Sequence, residues 1–158
     1  MSSRRHARIL ALQCLFANEF LKEDPDTIAL RISESLHENA GSFTIQLIKQ
    51  TTEHESQLDN LIKEHLRNWE YERVSIFDRV LIKMAISEML FFSDIPVEVS
   101  INEALEISKG FCNLKSRKFV NGMLDSIYKK LKKSKQIKKD IPLKVASLQK
   151  NNSPKTGG

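Results

Sequence analysis

The stretch from residue 95 to residue 131 reads IPVEVSINEALEISKGFCNLKSRKFVNGMLDSIYKKL, and local rules alone predict two consecutive helices in it. Ser100 followed three residues later by Glu103 is typical of a capping box, in which the two side chains satisfy unpaired amides of the first turn. Ser116 is a second N-cap candidate. An apolar stripe at helical spacing follows it, made of Val120, Met123, Leu124, Ile127 and Leu131. The stretch therefore predicts a helical hairpin whose inner faces require a partner surface.

The segment just before the hairpin is predicted to be a further helix. Ser75 and Asp78 form another capping-box pattern and begin a helix that runs to about residue 92. Apolar residues cover most of the circumference of this helix, so we expect it to be the central buried helix. The predicted helices upstream of it are one ending near residue 21, one beginning at Asp24-Pro25, and one spanning about 43–66.

The sequence contains no strand signal, since it shows neither sustained period-two alternation nor a hairpin turn between apolar runs. Gly122 lies inside a strong helical stripe, where a glycine costs roughly 1 kcal/mol against alanine, so we expect another backbone to approach it closely. The predicted fold class is all-α, a compact bundle of six to seven helices in two subdomains.

Charge divides the 158-residue chain into two regions. Ten lysines and one acidic residue give residues 129–158 a net charge of +9, whereas residues 1–128 have a net charge of −4. Beyond residue 133 the apolar stripe ends and Lys, Ser, Asn, Pro and Gly dominate, a composition typical of disorder. We therefore predict a helical domain at 1–133 and a disordered, lysine-rich tail at 134–158.

Several function classes are disfavoured by what the sequence lacks. It has no P-loop, no Gly-rich dinucleotide turn and no nucleophile elbow, and its four histidines show no metal-ligand spacing. We therefore expect no enzymatic activity, cofactor or metal. No apolar run approaches the ~20 residues that span a bilayer. The two cysteines, Cys14 and Cys112, are too few for a disulfide scaffold and are expected to be reduced thiols of a cytoplasmic protein.

The first predicted helix breaks a local rule. Arg4, Arg5 and Arg8 lie in its first turns, although the positive end of the helix dipole disfavours cations there. Rule violations of this kind often mark functional sites, and an anion is the obvious ligand. A frayed, solvated basic terminus is the alternative interpretation.

Three short segments resemble the NusB family of bacterial transcription antitermination factors. These three are the most distinctive parts of four matching segments, which are RRHAR at 4–8 with the helix after it, 77–90, 97–109 and 118–125. The strongest are INEA at 101–104 and FVNG at 119–122, and the resemblance extends over about residues 3–131. It implies an all-helical fold of three helices followed by four. It also implies binding of the boxA element of nascent ribosomal RNA, as a heterodimer with NusE, in contact with the transcription elongation complex.

The resemblance assigns site residues at the matching positions. The implied RNA contacts are Arg4, Arg5, Arg8, Phe16, Lys118 and Phe119; the arginines would pair with phosphates, and an exposed ring would stack on a base. The implied NusE contacts are Glu72, Asp78 and Lys115. Asp78 has capping as an alternative role. Lys115 departs from the acidic residue that the family often has before the serine of the last helix.

Two other interpretations stay open at this point. A NusB-like helical domain also precedes the catalytic domain of a family of ribosomal RNA cytosine methyltransferases, so the chain could be a related, non-catalytic adaptor domain. It could also be a protein adaptor that has lost RNA binding. A homodimer is possible as well, because an exposed hairpin face could serve self-association as readily as NusE binding.

Overall fold

The computed structural model describes residues 4–36, 41–66, 71–111, 113–137 and 139. This part of the chain forms seven α-helices and one short 3₁₀ helix, and it contains no strand, which confirms the all-α prediction. The helices are α1 (Arg4–Leu21), α2 (Pro25–Leu36), α3 (Ser42–Glu53), α4 (Glu55–Glu64), α5 (Ile76–Phe91), α6 (Val97–Phe111) and α7 (Leu114–Lys133), with the 3₁₀ helix at Tyr71–Arg73. None of these helices is both long and apolar enough to span a bilayer.

The helices pack in two groups that share α5. Helices α1, α2 and α3 pack on one another, as do α5, α6 and α7, and α4 packs against α3, α5 and α7. Residues 80–89 of α5 are all buried, and this helix contacts α1 and α3 as well as its own group. The prediction of a central buried helix is therefore confirmed.

The predicted helix starts are partly right. Ser75 is the N-cap of α5, since its hydroxyl accepts a hydrogen bond from the Asp78 amide at 3.0 Å. The proposed capping box at Ser100 is wrong, because α6 begins at Val97 and Ser100 lies inside it. Ser116 is not a cap either: Asn113 is the N-cap of α7, and its side chain accepts from the Ser116 amide at 2.8 Å.

Two backbone predictions also require correction. The predicted helix over 43–66 is interrupted at His54, whose φ of −110° and ψ of 24° separate α3 from α4. The expected close approach at Gly122 is wrong, because this residue is exposed and a Cβ placed there would meet nothing within 4 Å.

The group formed by α5, α6 and α7 has two ends, and a candidate site lies at each of them. Helices α5 and α7 are parallel, since Asp78 contacts Ser116 near their starts and Lys139, beyond α7, contacts Phe92 at the end of α5. Helix α6 runs the opposite way. We call the end that contains the start of α1 the arginine end, and the end with the starts of α5 and α7 the groove end. The length of α6 separates them by roughly 20 Å.

The first residues beyond α7 stay packed against the bundle. Ile137 is 4% exposed and belongs to the hydrophobic core. The predicted boundary at residue 133 stays a prediction, because residues 140–158 of the predicted disordered tail lie outside the described residues. Cys14 is a buried, free thiol, and its burial raises the pKa to about 11, whereas Cys112 lies outside the described residues.

Candidate nucleic-acid interface

Arg4 and Arg5 form the exposed part of the arginine end. The Arg5 guanidinium donates two hydrogen bonds to the Glu103 carboxylate, at 2.8 and 3.0 Å. Arg4 lies 3.5 Å from the Asp94 carboxylate and 4.5 Å above the centre of the Phe43 ring. About half of each arginine side chain is exposed to solvent. Both guanidiniums are therefore held in a fixed position while a face of each stays accessible.

Arg8, unlike Arg4 and Arg5, is buried, and its predicted RNA contact stays a prediction. Only 3% of this residue is exposed, and its guanidinium donates to the Glu88 carboxylate at 2.6 and 2.9 Å. The Ser100 hydroxyl donates to the same carboxylate at 2.8 Å. Because both side chains are buried and mutually paired, Arg8 presents far less surface to a ligand than Arg4 or Arg5. Its observed role is to hold α1 against α5.

Carboxylates balance the positive charge of the arginine end. Each of the three arginines has an acidic partner, and these partners are Asp94, Glu103 and Glu88. The hydrogen bond from Arg5 is the largest cause of the lowered pKa of the Glu103 carboxyl, and the same contact raises the pKa of Arg5. The arginines with Asp94, Ile95, Pro96, Val99 and Glu103 line an open cavity of about 530 Å³. An RNA phosphate entering it would have to compete with these carboxylates.

A second cavity of about 450 Å³ lies at the groove end, between the starts of α5 and α7 and the end of α6. We call it the groove; its lining consists of Arg73, Val74, Ser75, Phe77, Asp78, Phe111, Asn113, Lys115, Ser116 and Phe119. The Phe77 and Phe111 rings pack together with centroids 5.4 Å apart. The groove thus has an aromatic wall and basic residues at its edge.

Asp78 supports the groove rather than presenting a charge to solvent. It is buried, and the Ser116 hydroxyl lies 2.7 Å from both of its carboxylate oxygens. This contact joins the first turns of α5 and α7 and fixes the wall between them. Capping therefore describes only part of its role, because its amide bonds Ser75 while its carboxylate bonds Ser116.

The structure divides the predicted site residues among three places. Asp78, Lys115 and Phe119 share the groove, where Lys115 is exposed and Phe119 is half-buried. Lys118 and Glu72 are exposed on adjoining segments, α7 and the 3₁₀ helix. Arg4 and Arg5 lie at the opposite end of the bundle.

Phe16 occupies the third place, in the middle of α1. It is 38% exposed and packs edge-to-face on Phe20 at 5.6 Å. Eleven residues are close to three helical turns, so Phe16 and Arg5 share one face of α1 at a spacing of roughly 16 Å. This face could present both a cation and a ring to a single nucleic-acid strand.

Sequence reasoning missed the residues that complete both ends. The carboxylates of Asp94, Glu103 and Glu88 give no local signal, because their arginine partners lie about 80 to 100 residues away in the chain. Phe77 and Phe111 had a signal that could have been used. Both are apolar residues at helix ends next to the predicted hairpin loop, so their side chains could have been expected near each other.

Comparisons with known proteins give the family. A sequence model of the NusB family matches residues 5–129. The chain is 41% identical over 133 residues to the transcription antitermination protein NusB of Chloroherpeton thalassium, covering 82% of this chain and 63% of that protein. It is 38% identical over 136 residues to NusB of Bacillus subtilis, covering 83% and 98%.

Solved structures show the same fold. NusB of T. maritima superposes with a TM-score of 0.73 at 37% identity, covering 81% of this chain and 92% of that chain. A structure of the antitermination factors NusB and NusE in complex with dsRNA superposes with a TM-score of 0.72 at 22% identity, covering 80% and 96%. Because the family match spans most of the described helices, from α1 to α7, the chain belongs to the NusB family.

Proposed function

We propose that this protein is a transcription antitermination factor that binds the boxA element of nascent ribosomal RNA together with NusE. The observation that supports this most directly is the family match over residues 5–129, together with relatives that are named for antitermination. One structural relative is itself a complex of NusB, NusE and RNA. In this role the protein works by binding, in the cytoplasm, as a component of the transcription elongation complex.

The proposed RNA surface uses the accessible residues of α1 and α7. Arg4 and Arg5 present guanidinium faces that are already oriented by Asp94 and Glu103, so little side-chain entropy is lost when phosphates bind. Phe16 offers a ring for stacking on an unpaired base, an interaction worth about 1–3 kcal/mol per base. Lys118 and Phe119 would add a second contact where α7 begins.

The proposed NusE surface is the groove end. Lys115 lies at the edge of the groove, and Glu72 lies beside it on the 3₁₀ helix. Asp78 contributes indirectly, since it holds Ser116 and so fixes the start of α7. Lys115→Glu is expected to change NusE affinity without unfolding the chain, because this side chain is exposed. Titration calorimetry with NusE measures this, and an unchanged affinity would place NusE elsewhere.

An electrophoretic shift with boxA and scrambled RNA, with and without NusE, tests the proposed function. We expect tighter binding of boxA, above all when NusE is present. Equal affinity for both RNAs under every condition would contradict the proposal.

A pair of arginine variants tests the RNA surface. Arg5→Ala should lower the slope of log affinity against log salt by about 0.7 if one phosphate contact is lost. Arg31→Ala is a matched control, since this arginine on α2 is also about half exposed and pairs with a carboxylate, that of Glu23, at 2.7 Å. We expect the control slope to equal that of the parent chain. Equal reductions in the two variants would remove Arg5 from the proposed surface.

A further inference from the structure

The chain beyond α7 forms a defined strap, which we take as residues 134–137 and 139. Helix α7 ends in a Schellman motif: the Lys135 amide donates to the Lys132 carbonyl at 3.0 Å and the Gln136 amide donates to the Leu131 carbonyl at 2.9 Å. Lys135 has a φ of 64°, the left-handed conformation that this motif requires. The direction in which the chain leaves α7 is therefore fixed.

Two side chains attach the strap to the bundle. Ile137 enters the hydrophobic core. The Lys139 ammonium donates to the Glu88 carbonyl at 2.9 Å and to the Phe92 carbonyl at 2.6 Å. These carbonyls lie at the end of α5, where the helix dipole favours a cation, and each also accepts a backbone amide, from Phe92 and from Ile95. The strap is thus anchored by both apolar burial and a cationic cap.

The anchor lies at the arginine end. The Phe92 ring packs against the Phe43 ring at 5.5 Å, and the Arg4 guanidinium lies 4.5 Å above the other ring of this pair, Phe43. Glu88, whose carbonyl binds Lys139, also pairs through its carboxylate with Arg8. Two aromatic rings and one glutamate therefore connect the strap to the arginines.

The charges at this end decide what the strap can do. The three arginines are paired with three carboxylates, so the net charge of these six groups is zero. Lys133 and Lys135 are exposed at the end of α7, and neither forms an ion pair with a residue that the structure describes. These two lysines therefore add uncompensated positive charge to the arginine end.

We propose that Lys133 and Lys135 are phosphate-binding residues that extend the RNA surface beyond Arg4 and Arg5. Lys133 is the last residue of α7, and the strap, anchored by Ile137 and Lys139, fixes where Lys135 lies. We call the variant of both lysines the strap variant. This inference rests on the proposed RNA binding and adds a contact region to it. An ammonium group on a flexible stem binds phosphate as a point charge and does not read bases. The lysines therefore increase affinity for boxA and scrambled RNA alike.

The test uses the full-length chain with both lysines replaced, Lys133→Gln and Lys135→Gln. The slope of log affinity against log salt should fall by about 0.7 per lost contact, up to ~1.4 for the pair. The ratio of boxA to scrambled affinity at fixed salt should stay unchanged. Lys22→Gln with Lys49→Gln is the control for net charge, because both lysines are exposed in the N-terminal group and the change in net charge is the same; Lys49 lies 4.0 Å from the Asp26 carboxylate. This control should keep the slope of the parent chain.

The outcomes separate this inference from the proposed function. If the parent chain prefers boxA and the strap variant keeps the parent slope, the strap contacts are refuted and the proposed function stands. Equal slope losses in the strap variant and the control also refute the inference, since only net charge then matters. If the parent chain binds no RNA with or without NusE, both fail.

Discussion

Replacing Arg8 with alanine should strongly lower the free energy of unfolding. It should have no direct effect on the RNA surface. Arg8 and Glu88 are both almost completely buried. In the variant, among the residues that the structure describes, only the Ser100 hydroxyl would still donate a side-chain hydrogen bond to the Glu88 carboxylate. Removing one member of a buried pair costs about 3–5 kcal/mol, because the other charge stays uncompensated. For a domain of this size each kcal/mol corresponds to about 2–4 °C, so Tm should fall by roughly 6–20 °C.

The assay is thermal unfolding followed by far-UV circular dichroism, with urea unfolding as a second measurement. Arg5→Ala is the matched control, since this arginine is on the same helix and also binds a glutamate through two hydrogen bonds, but at the surface. Its Tm should change by about 4 °C or less. In contrast, RNA affinity measured well below Tm should fall for Arg5→Ala and stay close to that of the parent for Arg8→Ala.

Equal Tm values for the two variants would show that the Arg8–Glu88 pair is not the anchor of α1. A loss of RNA affinity in a fully folded Arg8→Ala variant would instead return this residue to the RNA surface. Either result would refute the reasoning from burial.

Three further predictions concern single positions. Gly122→Ala should raise the free energy of unfolding by about 1 kcal/mol, as measured by urea unfolding, because the added methyl group meets nothing and helical backbone entropy is reduced; a lower stability would reveal a contact at this face. Glu103→Gln should destabilise the protein at pH 7, and the difference should begin to shrink below the ordinary carboxyl pKa of about 4.3 and vanish as the pH falls through the lowered pKa of Glu103; a pH-independent difference would exclude this linkage. In a Cys112→Ser variant, Cys14 should react with a disulfide reagent at pH 8 at least ~100-fold more slowly than a free thiol, since burial raises its pKa to about 11; a rate equal to that of a free thiol would mean that α1 opens readily.

The helices were predictable where local and tertiary requirements agree. Helix α5 has both a cap serine and apolar residues on most of its surface, and its start at Ser75 is confirmed. At Ser100 the same spacing to an acidic residue was misleading, because serine and glutamate three residues apart also occur inside helices. The Ser100 amide bonds the Pro96 carbonyl at 3.2 Å, which shows that the helix began one turn earlier.

The site residues were predictable only where the local sequence pattern also determines whether a side chain is exposed to solvent. The arginines of α1 were identified from the helix dipole, but this rule sees only the first turns of one helix. It cannot distinguish Arg5, which meets Glu103 at the surface, from Arg8, which meets Glu88 in the core. The prediction of a close approach at Gly122 was wrong for the same reason. Whether a helical face is packed depends on elements that are distant in sequence.

The partnership of Arg8 with Glu88 imposes an order on folding during protein synthesis. Residue 88 is made 80 residues after residue 8, a delay of roughly 4–16 s at about 5–20 residues per second. Throughout that interval α1 leaves the ribosome with none of the three carboxylates that will balance its arginines. The N-terminal helices therefore complete their packing only after α5 has emerged, so a chain that stops before residue 88 should not fold into a stable half.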